Sequence, residues 1–329
     1  MTEDDIRRAA ADLAGGPVRD LIPARPGGNN RIFKVVTQDG AAHALKIYPQ
    51  QAEDPRDRLG VEFRALSFLF RKGIGRVPRA VAMDRPRHCA LYEWIDGAPP
   101  PRCDASIDAL ARFLADLKEL AADPEARDLG PASAACPSAA VLSRQVEERR
   151  RKLDAACADS GLAALLTGEF DPLATRLLDR ARKGFARGGL DFEAALPPAR
   201  QVLSPSDFGF HNALAVPGGG LRFIDFEYFG WDDPVKAAAD VALHAGMDLD
   251  PVQARRFLED APMTAGEAAK VILDGVKADR WRILVGEDAQ VTDRLVRETP
   301  EEAYEPAFFQ KMASAAGWQL NGIAGNRSE

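Results

Sequence analysis

Two kinds of apolar spacing divide this chain near residue 97. Before that point, short β-branched and apolar runs alternate with turn residues. Residues 18–22, 31–37 (RIFKVVT) and 42–48 (AHALKIY) predict strands, the last two joined by Gln38-Asp39-Gly40-Ala41. Leu59, Phe63, Leu66 and Phe70 then recur every three to four residues. That period predicts a helix, opened by the cap-and-proline pair Asp54-Pro55 and stopped by Gly73. Residues 77–83 and 88–95 predict two more strands across the turn Asp84-Arg85-Pro86-Arg87.

Beyond Asp96-Gly97 the run Ala98-Pro99-Pro100-Pro101 predicts an extended linker, because prolines fix the backbone. Helical spacing follows. Ile107, Leu110, Leu114 and Leu117 share one face behind a Ser106 cap, and residues 138–157 and 171–187 predict further helices. Asp233-Pro234 opens another, and the rest to Ser328 is expected to be mostly helical. The expected organisation is α+β: a small β-rich lobe over residues 1–96 and a larger, mainly helical lobe over residues 97–329.

One segment of the helical half breaks the pattern. Residues 203–233 read LSPSDFGFHNALAVPGGGLRFIDFEYFGWDD, with a Pro217-Gly218-Gly219-Gly220 turn between two apolar runs. A hairpin pairing symmetrically about Gly218-Gly219 would place Val216 opposite Leu221, Leu214 opposite Phe223 and Asn212 opposite Asp225. An amide oxygen facing a carboxylate, with Asp207 five residues upstream, suits Mg²⁺ carrying phosphates. An aspartate within Phe223-Ile224-Asp225-Phe226 calls for a charged or metal partner, since an unpaired carboxylate there would be costly.

Composition narrows the partners. The 329 residues carry a formal net charge of −7, which argues against nucleic acid or an anionic membrane surface. No apolar run reaches membrane-spanning length, and the acidic start MTEDDIRRAA is unlike a secretory signal. Cys89, Cys103, Cys136 and Cys157 form no CxxC pair, so reduced thiols in a cytoplasmic protein are expected. The run Arg149 to Lys152 follows Glu147-Glu148 and is expected to form a solvated, salt-laced helix face.

A strand lysine, a helix glutamate, a glycine loop and the downstream Asp/Asn/Asp set occur in the order a phosphotransferase needs. Lys46 can reach nucleotide phosphates, with Glu62 holding it by an ion pair, and Gly27-Gly28-Asn29-Asn30 can close over the phosphates. Asp207 would orient the acceptor hydroxyl and take its proton, while Asn212 and Asp225 hold the metal. No Walker A pattern is present, and only eight residues separate Asp225 from Pro234, too few for an ordinary protein-kinase activation segment. Glu227, Trp231 and Asp232 follow the metal strand and are candidates to line a pocket for a cationic acceptor.

With ALKIY, LYEWIDG, SDFGFHN and FIDFEY, residues 25–245 resemble the aminoglycoside phosphotransferase and choline kinase-like family of small-molecule kinases. The resemblance implies a bilobal protein-kinase-like fold, MgATP (or GTP) as donor and a small hydroxyl compound as acceptor. It makes Asp207 the catalytic base, Asn212 and Asp225 the Mg²⁺ ligands, and Lys46 the phosphate-binding cation. The backbone of Glu93 to Ile95 would meet the purine, and Asp240 would brace the catalytic loop. Pro205-Ser206-Asp207 departs from the family's usual His-Gly-Asp, whose histidine normally scaffolds that loop. The departure motivates a second reading, a nucleotide-binding regulator that has lost catalysis.

Overall fold

The computed structural model describes residues 1–24, 30–50, 56–156, 160–244 and 246–260. Residues Met1–Ala269 form one compact unit and Lys270–Glu329 a second, and all the described residues belong to the first. The expected boundary at residues 96–97 falls inside that first unit. The expected Asp54-Pro55 helix start, Cys157 and the helices expected beyond residue 260 lie outside the described residues.

The first half is built on a five-stranded antiparallel sheet. Its strands are β1 (Val18–Pro23), β2 (Arg31–Thr37), β3 (Ala42–Ile47), β4 (Ala80–Asp84) and β5 (Cys89–Glu93), in the order β1-β2-β3-β5-β4. Successive strand residues face opposite sides, and here that alternation separates packing from chemistry. Phe33, Val35, Leu45, Cys89 and Leu91 bury themselves against Ile6, Ala9 and Ala10 of α1 (Glu3–Ala14). Lys46, next to Leu45, consequently points away from that core toward α2 (Arg58–Arg71). Helix α1 was not expected from the sequence. Its signal is a local capping box: the Thr2 hydroxyl accepts from the Asp5 N–H, while the Asp5 carboxylate accepts from the Thr2 N–H. Asp57 caps α2, and Gly73 closes it at φ +80°, a conformation that favours glycine.

The second half comprises α3 (Asp104–Leu120), α4 (Ala139–Ala156), α5 (Ser160–Leu165), α6 (Asp171–Arg187), α7 (Pro234–Ala242) and α8 (Pro251–Asp260). Cys103, not Ser106, occupies the N-cap position of α3, and Ser106 is buried within the first turns. Asp233 caps α7 by accepting from the Val235 and Lys236 N–H groups. The basic run on α4 is salt-laced as expected: Arg150 pairs with Asp171 and Asp154, and Lys152 pairs with Glu148. No described helix is long and apolar enough to cross a membrane.

Four short strands position the polar segment. β6 (Val202–Ser204) pairs with β9 (Gly230–Asp232), and β7 (Ala213–Ala215) pairs with β8 (Leu221–Phe223). The β7–β8 register differs from the expected one by one residue: Ala213 faces Phe223, Leu214 faces Arg222 and Ala215 faces Leu221. Residues 216–220 form the loop, with Gly218, Gly219 and Gly220 all at positive φ, so the turn takes five residues instead of four. Asn212 therefore sits opposite Ile224, whose N–H donates to its carbonyl, and not opposite Asp225.

The hairpin is tied to the first half by backbone and side chain. Ala98 and Ala215 exchange N–H···O bonds of 3.0 and 2.8 Å, so the proline-rich linker runs along the hairpin. Arg222 donates to the Val77 carbonyl and the Glu93 carboxylate. Close backbone approach also constrains β9. A Cβ on Gly230 would lie 2.4 Å from the Gly130 carbonyl oxygen and 2.5 Å from the Ala132 nitrogen. Gly230→Ala is expected to cost about 1–3 kcal/mol through overpacking. Thermal unfolding checks this, and an unchanged melting temperature would contradict the backbone contact.

Candidate active site

An aromatic cluster sets the two aspartate-bearing segments side by side. Phe113 of α3 lies 5.3 Å from Phe208, 4.5 Å from Phe223 and 6.0 Å from Phe226, between ring centroids. Phe208 follows Asp207 and Phe226 follows Asp225, so burying the rings leaves the neighbouring carboxylates at the edge of the core. Aromatic pairs of this kind add about 0.5–1.5 kcal/mol each beyond their buried area.

Asp225 is not inside a strand, as the sequence suggested. It follows β8 with φ +68°, a left-handed conformation that aspartate tolerates better than most residues, at a cost of about 1–2 kcal/mol. Lys46 Nζ lies 2.6 Å from the Asp225 carboxylate, 2.6 Å from Glu62 and 3.2 Å from Glu227. The Phe226 N–H donates to the other Glu62 oxygen at 3.1 Å, and the Tyr48 hydroxyl donates to Glu62 at 2.6 Å. Burial opposes the charge on Lys46, but Glu62, Asp225 and Glu227 outweigh it and raise its pKa well above the usual value. Burial raises the pKa of Glu62, with the charge of Lys46 opposing it.

Accessibility separates the three carboxylates. The side chains of Glu62 and Glu227 are 4% exposed, whereas Asp225 is 35% exposed and can meet a ligand. Glu227 is consumed within the protein: it pairs with Lys46 and Arg58 and accepts from the Asn30 amide at 2.8 Å. This differs from its expected place in an acceptor pocket. Asp232 is likewise buried, accepting from the Cys136 and Asp233 N–H groups and pairing with Lys236. Trp231 donates its indole N–H to the Ala126 carbonyl. Glu227 and Asp232, expected to line an acceptor pocket, are thus buried and paired within the protein, while Trp231, expected there too, is half-buried. Asp240 pairs with Lys236, which joins it to Asp232.

Asp207 follows a tight turn. Its N–H bonds the Pro205 carbonyl at 2.9 Å around Ser206, which has φ +68°. The Ser206 hydroxyl donates to the Ser133 carbonyl, and its N–H donates to the Ser204 hydroxyl oxygen. Serines thus anchor the loop where the expected histidine is missing. The Asn212 amide donates to the Asp207 carbonyl at 2.9 Å, which orients its side chain within the same loop. His211 Nε2 lies 2.8 Å from the Asp207 carboxylate. That hydrogen bond is the largest influence lowering the Asp207 pKa; partial burial acts in the opposite direction.

Among these carboxylates, Asp225 is the one open to a hard cation. Glu62, Asp225 and Glu227 bring carboxylate oxygens within 4.8 Å of one another, and their three charges exceed the two of Lys46 and Arg58. Asp225 is the exposed member, and Asn212, in the adjoining loop, is buried. Gly27, Gly28 and Asn29 lie outside the described residues. The Glu93 N–H donates to the Arg79 carbonyl, and Ile95 follows beyond the end of β5. Tyr48, Arg58 and His244 were not among the expected site residues, and each is drawn to this region by tertiary packing.

Comparison with known proteins places the chain in a family. The model of the phosphotransferase enzyme family matches residues 20–269. Choline kinase LicA from Streptococcus pneumoniae superposes with a TM-score of 0.56 at 15% identity, over 96% of this chain and 99% of that one. The ADP-bound aminoglycoside phosphotransferase APH(2'')-Ib gives 0.56 at 15% identity, over 97% and 98%. A fructosamine-3-kinase-like structure from Thermobifida fusca gives 0.50 at 16%, over 97% and 100%. Among curated protein sequences, none is significantly similar. Since the family model covers more than half its length, the chain belongs to the phosphotransferase enzyme family, with the α+β protein-kinase-like fold.

Proposed function

We propose that this kinase transfers the γ-phosphoryl group of MgATP, or of MgGTP, to a hydroxyl of a small molecule. The observation that carries the reading is Lys46, held at 2.6 Å from both Glu62 and Asp225 beside the Asp207 loop. Lys46 supplies a fixed positive charge for nucleotide phosphates, and Glu62 sets its position. Asn30 and the preceding glycines would cover the phosphates, and the backbone of Glu93 to Ile95 would meet the base. The ionised Asp207 accepts the hydroxyl proton as the acceptor oxygen attacks phosphorus. Asp225 and Asn212 would hold Mg²⁺, whose bound charge neutralises the phosphate oxygens. Because Glu227 and Asp232 are already paired, the acceptor need not be cationic. Amino alcohols, sugars and aminoglycoside-like compounds are all candidates, in a protein expected to be cytoplasmic.

The test is nucleoside-diphosphate release from MgATP and MgGTP across a panel of such acceptors. Acceptor-dependent release supports the reading. Magnesium-dependent nucleotide binding without turnover on any acceptor would favour the regulator suggested by Pro205-Ser206. Asp225→Ala is expected to raise the magnesium requirement for nucleotide binding and to reduce turnover by about 100-fold or more. A magnesium titration indistinguishable from wild type would remove Asp225 from the metal seat.

A further inference from the structure

Two imidazoles beside Asp207 have no part in the phosphate and metal machinery. His211, four residues after Asp207, stacks on His244, which follows α7, with ring centroids 4.4 Å apart and planes inclined by 17°. Both present Nε2 to one carboxylate oxygen: His211 lies 2.8 Å and His244 3.9 Å from Asp207 Oδ1. Their tautomers follow from their partners. An ionised carboxylate only accepts, so His211 Nε2 carries a proton. The Gly246 N–H donates to His244 Nδ1 at 3.0 Å, so a neutral His244 carries its proton on Nε2, facing Asp207.

This arrangement argues against a transition-metal site at the cluster, although a carboxylate and two histidines are together there. Ligation through His244 Nε2 would move its proton to Nδ1, against the Gly246 N–H. The near-parallel rings would also have to separate to bring a metal into both ring planes. Backbone packing around them leaves little slack. A Cβ on Gly209 would lie 2.7 Å from Met247 Sδ and 3.0 Å from the His211 ring, while Met247 is fully buried and accepts from the Phe210 N–H.

We propose that His211 and His244 form a stacked clamp that selects which oxygen of Asp207 faces the acceptor. The His211 Nε2–H holds Oδ1, leaving Oδ2 to receive the hydroxyl proton. His244 fixes the plane of the His211 ring and adds a second N–H dipole on the same side. Both are positioning residues, acting through Asp207, and the proposal rests on the phosphotransfer reading. Upstream of Asp207 the serines hold the loop backbone, whereas the two histidines act on the Asp207 carboxylate itself. The clamp also joins the catalytic loop to the segment after α7, so displacement of that segment would misalign the base.

Steady-state kinetics and histidine NMR test the clamp together. His211→Ala is expected to lower kcat by about 10- to 100-fold while leaving the nucleotide KM nearly unchanged, the signature of a misaimed group. His211→Gln, whose amide can donate from a similar position, should recover much of that loss. His244→Ala should cost severalfold, and His244→Phe, which keeps the stack but not the dipole, should recover part of it. In nitrogen-15 spectra at fixed pH, wild type should show His244 protonated on Nε2. Asp207→Asn should shift the His211 Nε2 signal. Equal losses in His211→Ala and His211→Gln, or a kcat within twofold of wild type in His211→Ala, would overturn the proposal. An unchanged His211 signal in Asp207→Asn would do so as well, even without turnover. If no acceptor is phosphorylated but that signal moves, the phosphotransfer reading fails while the clamp geometry stands.

Discussion

Lys46→Met is expected to destabilise the protein by about 3–5 kcal/mol, because it leaves buried carboxylates without their shared cation. Glu62 and Glu227 are almost inaccessible, and neither can recover in water what it loses from Lys46. Adding Glu62→Gln should restore part of the stability by removing one of the stranded charges. Denaturant unfolding of the wild type, both single variants and the double variant measures this coupling. A Lys46→Met cost below about 1 kcal/mol, the range of an exposed ion pair, would mean the network is solvated. The raised pKa fixes the pH dependence: the charged form is favoured in the folded state, so its contribution is complete below the ordinary lysine value of 10.5. It is lost as pH rises through the higher folded value. On the lysine side, the wild-type advantage should therefore stay level below that value and shrink in strong alkali; in acid it shrinks as the partner carboxylates protonate. Turnover by Lys46→Met should fall by about 100-fold or more as the phosphate cation disappears.

Asp207→Asn should lower turnover by about 100- to 10,000-fold, the range contributed by a positioned general base. Nucleotide binding should be nearly unaffected, since Lys46, Glu62 and Asp225 form a separate network. Asparagine keeps the size of the side chain and can still accept from His211, so folding should be preserved. Comparing acceptor-dependent turnover with nucleotide affinity in the same variant checks both points. Undiminished turnover would dismiss Asp207 as the base; lost nucleotide binding would relocate it to the phosphate site. The lowered pKa carries its own sign. The folded state favours the carboxylate, so this contribution is present above the ordinary value of 3.8 and is lost as pH falls below it. Loss of activity near pH 6 would therefore require another group to titrate.

Lys46 and Glu62 were legible because they lie on regular elements. Strand alternation places Lys46 on the face opposite Leu45, and helical spacing carries Glu62 on α2 toward that face. Proline and glycine marked the linker at Ala98 and the turn at Gly218-Gly219. Other features were less legible for identifiable reasons. The hairpin register depended on whether the loop held four or five residues, and a shift of one moved Asn212 from Asp225 to Ile224. The left-handed turn at Asp225, rather than cross-strand pairing, then delivered its carboxylate to Lys46. The α1 helix was overlooked because its capping box lies in a short acidic stretch that also resembles an ordinary polar terminus.

Glu227, Asp232 and the histidine pair show where local reading stops. A carboxylate after a metal strand looks available until burial reveals Lys46, Arg58 and Asn30 around it. His211 alone is one loop histidine; His244 reaches it only because the turn after α7 folds back with Gly246 and Met247. Periodicity and turn chemistry act over a few residues, and they were enough for the sheet, the helices and the order Lys46, Glu62, Asp207, Asn212, Asp225. Charge pairing and burial act between elements distant in the chain. Tertiary packing alone decided which carboxylates are neutralised, which one remains open to a ligand, and which oxygen of Asp207 is held.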